Sequence, residues 1–185
     1  MCGRYLIDID DANIKAWMHD DLPSFKTNEV FPTNNALVLV YQDKIKASVL
    51  PWGFKKWDNK GHVINARSET VTTSRFFKDD YHTHKAIVLA NAFYEWDGGK
   101  SKHIITPKEE PIFYMAALIQ ENNQGFALLT QPAISPVSTI HNRQPVMIKK
   151  QNVQEYLTHK LPASLVDYYT VDMNIDSVLN QASLF

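Results

Sequence analysis

The chain has a single cysteine, Cys2, among 185 residues. No intramolecular disulfide can form, and the composition fits a reducing interior better than a secreted, bridge-stapled scaffold. Charge of one sign is also lacking: 19 Lys and Arg stand against 20 Asp and Glu, a formal net charge of -1. No global field draws the molecule to nucleic acid, so any such contact must come from a local basic patch. No apolar run approaches the ~18 residues of a membrane span, and the N-terminus lacks the basic-then-apolar order of a signal peptide. A soluble, cytoplasmic protein is expected. Repeats, low-complexity tracts and Gly/Ser linkers are missing, and the nine prolines are scattered. With 44% hydrophobic residues, residues 1–185 are expected to form one domain around one core.

What is present is mostly strand-like. Residues 36–40, 45–50, 63–67, 86–96, 112–117, 126–130 and 145–148 carry the β-branched and aromatic runs of strands. Three helices are expected. The first opens on Asp10 and Asp11 and turns Ile14, Trp17 and Met18 inward; the second lies near residues 73–80 and carries Phe76 and Phe77. The third opens at Asn152, where a Glu three residues later reads as a capping box, with Val153, Tyr156 and Leu157 on the buried side. Strands outnumber helices without regular alternation, which predicts an α+β fold with a curved, largely antiparallel, barrel-like sheet flanked by a few helices.

Four clusters could carry chemistry. If Met1 is removed, Cys2 presents an amine and a thiol on adjacent carbons. Such a 1,2-aminothiol attacks an aldehyde through nitrogen and closes through sulfur to a thiazolidine. The α-amine, with a reference pKa of about 7.7–8.0, is nucleophilic near neutrality. In Asn65-Ala66-Arg67-Ser68-Glu69-Thr70, strand alternation puts Asn65 and Arg67 on one face, an amide beside a phosphate-matching guanidinium; a plain strand end with Ser68 capping a helix reads as well. Glu95 follows Phe93 and Tyr94 and precedes Trp96. Desolvation among aromatics would raise its pKa and suit it to proton transfer, unless it sits at the surface where the strand exits. Finally, His141 and Arg143 would share a face in an extended segment, an imidazole beside a second phosphate-binding group. His82 and His84 form a His-x-His pair without a nearby third ligand, so no metal is expected. Trp57 beside Lys55 and Lys56 could extend a nucleic-acid groove or cover the core.

In identity and order these clusters resemble the SOS-response-associated peptidase (SRAP) family. The shared elements are Met1 to Arg4, Pro32-Thr33, Trp52-Gly53, Asn65 to Thr70, Phe93 to Trp96 and His141 to Val146; the tail after Lys150 matches only as a closing segment. The resemblance implies that Cys2 bonds covalently to abasic sites in single-stranded DNA, that Asn65 holds its amine or the sugar, and that Glu95 and His141 move protons. It further implies DNA contacts from Arg4, Pro32, Arg67, Arg75, Phe93 and Arg143, with Trp52 stacking on a base or wedging the strand. A monomer near the nucleoid, needing no cofactor and releasing its own Met1, goes with it. Ala92, Asn142 and Gln144 depart from the usual pattern without touching the reactive groups. A thiol peptidase using Cys2 and His141, or a noncovalent reader of damaged DNA, remain as alternatives.

Overall fold

The apolar runs become the inner strands. In the computed structural model, which describes residues 2–58, 60–158 and 171–178, the chain order is β1 (Tyr5–Ile7), α1 (Ala12–Lys15), β2 (Asn28–Val30), β3 (Asn35–Gln42), β4 (Lys44–Pro51), β5 (Phe54–Lys55), β6 (His62–Val63), β7 (Asn65–Arg67), α2 (Lys78–Thr83), β8 (Lys85–Ala90), β9 (Ala92–Trp96), β10 (Lys102–Pro107), β11 (Phe113–Ile119), β12 (Phe126–Pro132), β13 (Arg143–Pro145), α3 (Val153–Leu157) and β14 (Met173–Ser177). The smaller of two main sheets has the order β14-β10-β9-β1-β2, and the larger β13-β12-β11-β8-β3-β4 with β7 added in parallel to β12. Every residue of β8 and of β11 is buried, because both faces of these strands are covered and continuous apolar runs are what such strands need.

The expected single strand over 86–96 is two strands that belong to different sheets. The break falls at Asn91, whose N–H donates to Leu6 O at 2.9 Å and whose side chain accepts from Asp8 N at 2.8 Å and donates to Asp11 at 3.0 Å. This transfer carries the chain from the large sheet into the small one, so one buried cluster spans both. The α+β, mainly antiparallel prediction holds, but the barrel does not form: among the described residues neither main sheet closes on itself, and each ends in free edges.

The helices are shorter than the periodicity suggests. α1 is one turn, capped by Asp11, whose side chain accepts from Asn13 N; Ile14 is buried, while Trp17 and Met18 pack beyond the helix end. α2 starts after Phe76 and Phe77, and residues 68–77 form turns, so Ser68 caps no helix there; its hydroxyl donates to Glu69 at 3.2 Å. At α3 Val153, Tyr156 and Leu157 are buried as expected. The capping box is replaced by a side-chain pair, Asn152 Nδ2 donating to Glu155 at 3.2 Å, because a 3-10 turn over Lys150–Asn152 already leads into the helix.

Trp52 contradicts its expected role. It is fully buried, stacked on Phe126 with centroids 6.2 Å apart and against Tyr5 at 5.3 Å, and its indole N–H donates to Ile64 O at 3.1 Å. No face remains for a base. The neighbouring backbone is equally tight: a Cβ at Gly125, where φ is +158°, would stand 2.3 Å from Gly53 O, so this approach needs glycine. Replacing Trp52 by Ala should therefore cost about 3–5 kcal/mol of stability, the range for emptying a large core site. Chemical denaturation checks this; a cost below ~1 kcal/mol would mean that the indole is not a core element.

Candidate functional site

The N-terminal segment enters the small sheet as an inner strand. β1 pairs with β2 on one side and β9 on the other, setting Tyr5 opposite Val30 and Phe93, and Tyr94 N donates to Arg4 O at 3.0 Å. Just before this strand, Cys2 is wholly buried and its thiol reaches Arg4 O at 3.7 Å. β7 brings Asn65 to the same place from the large sheet: its Nδ2 donates to Cys2 O at 2.9 Å. Asn65 Oδ1 is buried and, among the described residues, accepts nothing. The Trp52 bond to Ile64 O fixes the residue just before Asn65.

β9 supplies Glu95, which is 3% exposed. Burial holds its carboxyl above the usual carboxylate range, while the His141 imidazole pulls the other way. His141 Nε2 lies 3.9 Å from Glu95 Oε2. Its Nδ1 is 3.0 Å from both the N and the O of Arg143, so the Arg143 main chain satisfies Nδ1 in any protonation state and Nε2 is left facing the carboxylate. The Cys2 thiol is pushed up to about 12, first by burial and then by the charge of Glu95. Asn65 thus meets Cys2 and His141 meets Glu95, and the Glu95 charge acting on the Cys2 thiol links the two pairs, drawn from four separate segments.

The expected DNA contacts divide by exposure. Arg67 and Arg75 are exposed, and Pro32 and Arg4 are half-buried. Arg4 lies over the rings of Phe31 and Trp96, at 4.4 and 5.1 Å, and pairs with Glu29 at 3.4 Å. Arg143 is held by both oxygens of Glu69 and by Thr130 O at 2.6 Å; these contacts keep the Glu69 carboxyl down at about 2. Phe93, like Trp52, has no exposed surface and packs on Phe113 at 5.7 Å, so the expected contact of these two rings with DNA is corrected to a core role. Pro32-Thr33 and Trp52-Gly53 act together, since Thr33 N donates to Trp52 O at 2.8 Å with Thr33 at a φ of 72°. A β-branched residue held there marks a loop fixed by its surroundings.

The structure decides one residue that the sequence left open, Trp57, and adds one that it did not single out, Tyr5. Trp57 is 72% exposed, with the Arg75 guanidinium 5.7 Å above its ring and Phe76 against its edge; neighbouring Lys55 and Lys56 were the signal. Tyr5 is fully buried beside the site with its hydroxyl lacking a partner among the described residues, and only its place directly after Arg4 hinted at this. His84 turns to Asp80 at 3.2 Å.

The model of the SOS response associated peptidase (SRAP) family matches residues 1–180. The chain belongs to the SRAP family. Among SRAP-like proteins of known sequence, abasic site processing protein YedK of Escherichia coli (strain K12) is 26% identical, covering 99% of this chain and 97% of that protein. Abasic site processing protein YoaM of Bacillus subtilis (strain 168) is 28% identical, covering 97% and 93%. Solved structures of proteins from Bacteroides thetaiotaomicron and Bordetella bronchiseptica superpose with TM-scores of 0.78 and 0.77, each at 19% identity and over 97% of this chain, covering 93% and 100% of those chains. This likeness establishes the SRAP chain's fold.

Burial of Glu95 has a measurable consequence for stability. A raised folded-state pKa means that the folded SRAP domain binds this proton more tightly than the unfolded chain does. The contribution is fully present below the unfolded value of about 4.3 and is lost as pH rises through the folded value. Glu95→Gln should therefore raise the melting temperature at pH 7 by about 2–4 °C, for ~1 kcal/mol in a chain of this size, with the gain shrinking towards pH 4. A lower melting temperature than wild type at pH 7 would mean that the carboxylate's contact with His141 outweighs its desolvation.

Proposed function

We propose that the protein forms a covalent crosslink to abasic sites in single-stranded DNA through Cys2, shielding the lesion during the response to DNA damage. The observation that carries this reading is that half-buried Asn65 meets buried Cys2 and half-buried His141 meets buried Glu95, whose charge acts on the Cys2 thiol; the names of the relatives YedK and YoaM agree with it.

Hydrolysis of the Met1–Cys2 bond first adds water and frees the α-amine. That amine attacks the open-chain aldehyde of the abasic sugar, and the resulting carbinolamine loses its hydroxyl as water to leave an imine. The Cys2 sulfur then adds to the imine carbon while the thiol proton passes to nitrogen, closing the thiazolidine. Across these steps one aldehyde and one aminothiol become one ring and one water. Glu95, whose hold on its proton burial strengthens, donates to the departing hydroxyl. His141 relays the proton through Nε2, and Asn65 Oδ1, which accepts nothing from the described residues, accepts from the amine.

Arg67 and Arg75 contact phosphates of the bound strand, with Arg4 and Arg143 shaping the mouth of the site. The base stack first expected of Trp52 passes to Trp57, whose ring is open to solvent and backed by Arg75. A thiol peptidase working through a thiolate is less well supported, because such enzymes lower their thiol pKa whereas burial and Glu95 drive this one up.

The test mixes protein whose N-terminus has been checked by intact mass with a single-stranded oligonucleotide carrying one abasic site, followed by a denaturing gel. Protein lacking Met1 should give a slow, heat-resistant band that disappears with Cys2→Ala and forms at least 10²-fold more slowly with Glu95→Gln. No band from correctly processed protein would sink the reading. Binding that persists unchanged in Cys2→Ala without any covalent product would leave a noncovalent reader.

Trp57→Ala should weaken affinity for undamaged single-stranded DNA by ~1–3 kcal/mol, the worth of one base stack, while the melting temperature moves by less than about 2 °C. Fluorescence anisotropy and a thermal melt separate the two; an unchanged affinity would remove Trp57 from the DNA path.

A further inference from the structure

Far from Cys2, β8 begins on a buried cation. Lys85 is 7% exposed, and its Nζ lies 4.9 Å from the centre of the Tyr81 ring and 5.0 Å from that of Tyr156. Among the described residues it makes no hydrogen bond or ion pair. Buried ammonium groups are ordinarily matched by an anion, because ring faces replace only part of the lost hydration. Tyr156 cannot turn its hydroxyl to the lysine, since it donates to Ala117 O at 2.9 Å.

Lys85 lines a cleft of about 390 Å³ between the β3–β4 hairpin, the end of α2 and the end of α3. Among the described residues no carboxylate lines this cleft, whereas Gln42, Ser48 and Asn122 do line it, with side chains that make no hydrogen bond to other described residues. His84 stands at the rim, held by Asp80. The cleft is separate from the candidate site: Lys85 and Ala90 bound β8, roughly 17 Å apart at ~3.3 Å per strand residue, and β9 with Glu95 follows the far end. Its volume lies at the small-ligand end of the range for binding pockets, about 300–1,000 Å³.

We propose that this cleft is a phosphate-binding site, with Lys85 as the charged donor and Ser48, Gln42 and Asn122 as the neutral ones. A tetrahedral oxyanion offers acceptors in several directions at once, which matches donors arriving from four separate elements. Burial already draws the Lys85 ammonium down to about 8, the direction expected of a cation that lacks its counter-charge, and a bound phosphate would reverse it.

Isothermal titration calorimetry of the full chain with inorganic phosphate, at constant ionic strength, should give saturable binding in the millimolar range or tighter. Lys85→Met should weaken it at least tenfold, and Lys85→Arg should stay within about threefold of wild type. Because Lys85→Met removes a buried group and can disturb folding, Ser48→Asp provides the second variant: it places a like charge in the cleft from a half-buried position and should also weaken phosphate at least tenfold. Absence of saturable heat in the wild-type protein, or equal affinity in wild type, Lys85→Met and Ser48→Asp, would overturn the proposal. The source of the phosphate separates in a parallel titration with undamaged single-stranded oligonucleotide. A DNA-backbone phosphate predicts that Lys85→Met lowers oligonucleotide affinity and reduces its salt slope by about one. A free phosphate monoester predicts unchanged oligonucleotide binding together with competition between a nucleoside 5′-monophosphate and inorganic phosphate in the cleft.

Discussion

Everything at the site depends on the first residues of the chain being an inner strand. N-terminal residues ordinarily fray because few contacts repay their ordering. Here β1 is hydrogen-bonded on both edges, to β2 and to β9, and Tyr5 and Ile7 are buried. The ladder therefore holds Cys2 at a fixed height beside Glu95, and the Asn65 amide fixes its carbonyl from the opposite sheet. On the proposed reading Cys2 gains from this what a reactive group on a rigid element has by default: its position is set before any substrate arrives.

The second constraint is that most of the recognisable residues act on one another. Trp52 stacks on Phe126, touches Tyr5 and bonds to the carbonyl preceding Asn65. Thr33 bonds to the Trp52 carbonyl. Glu69 and Thr130 hold the Arg143 side chain while the Arg143 main chain holds His141 Nδ1. In each case one recognisable residue holds the next in place. Such a shell explains why residues so far apart in the chain form one site, since each aligns a neighbour whose own placement is otherwise loose.

This also sets how much could be read from the amino-acid order alone. β3, β4, β11 and β12 were legible because long apolar or alternating runs have few alternatives. Asn65, Glu95 and His141 stood out as candidates through the SRAP-like order of their motifs, and the fold brings Asn65 to Cys2 and His141 to Glu95. The break at Asn91 was not, since an apolar run looks the same whether it stays in one sheet or passes between two, and only contacts to Leu6, Asp8 and Asp11 distinguish them. β1, β2 and β5 are two or three residues long, too short for any periodicity. Trp52 and Trp57 could not be told apart either: an indole near lysines and glycine is equally at home in a core or on a surface, and burial decides which.

The protonation states favour an order of events on the proposed reading. A thiol raised to about 12 stays neutral near pH 7, so sulfur is a poor first nucleophile, whereas a freed α-amine with a reference value of about 7.7–8.0 is partly unprotonated. Nitrogen therefore attacks first. The imine it forms is a stronger electrophile than the aldehyde, especially once protonated, and adjacent sulfur needs to lose its proton only as the S–C bond closes. Glu95 suits both moments for one reason: burial that holds its proton on provides an acid for expelling water, and the carboxylate left behind is a base strengthened by the same desolvation, placed against His141 to pass the proton on. The burial that makes the carboxylate costly to keep charged is thus what fits it to serve successively as acid and base.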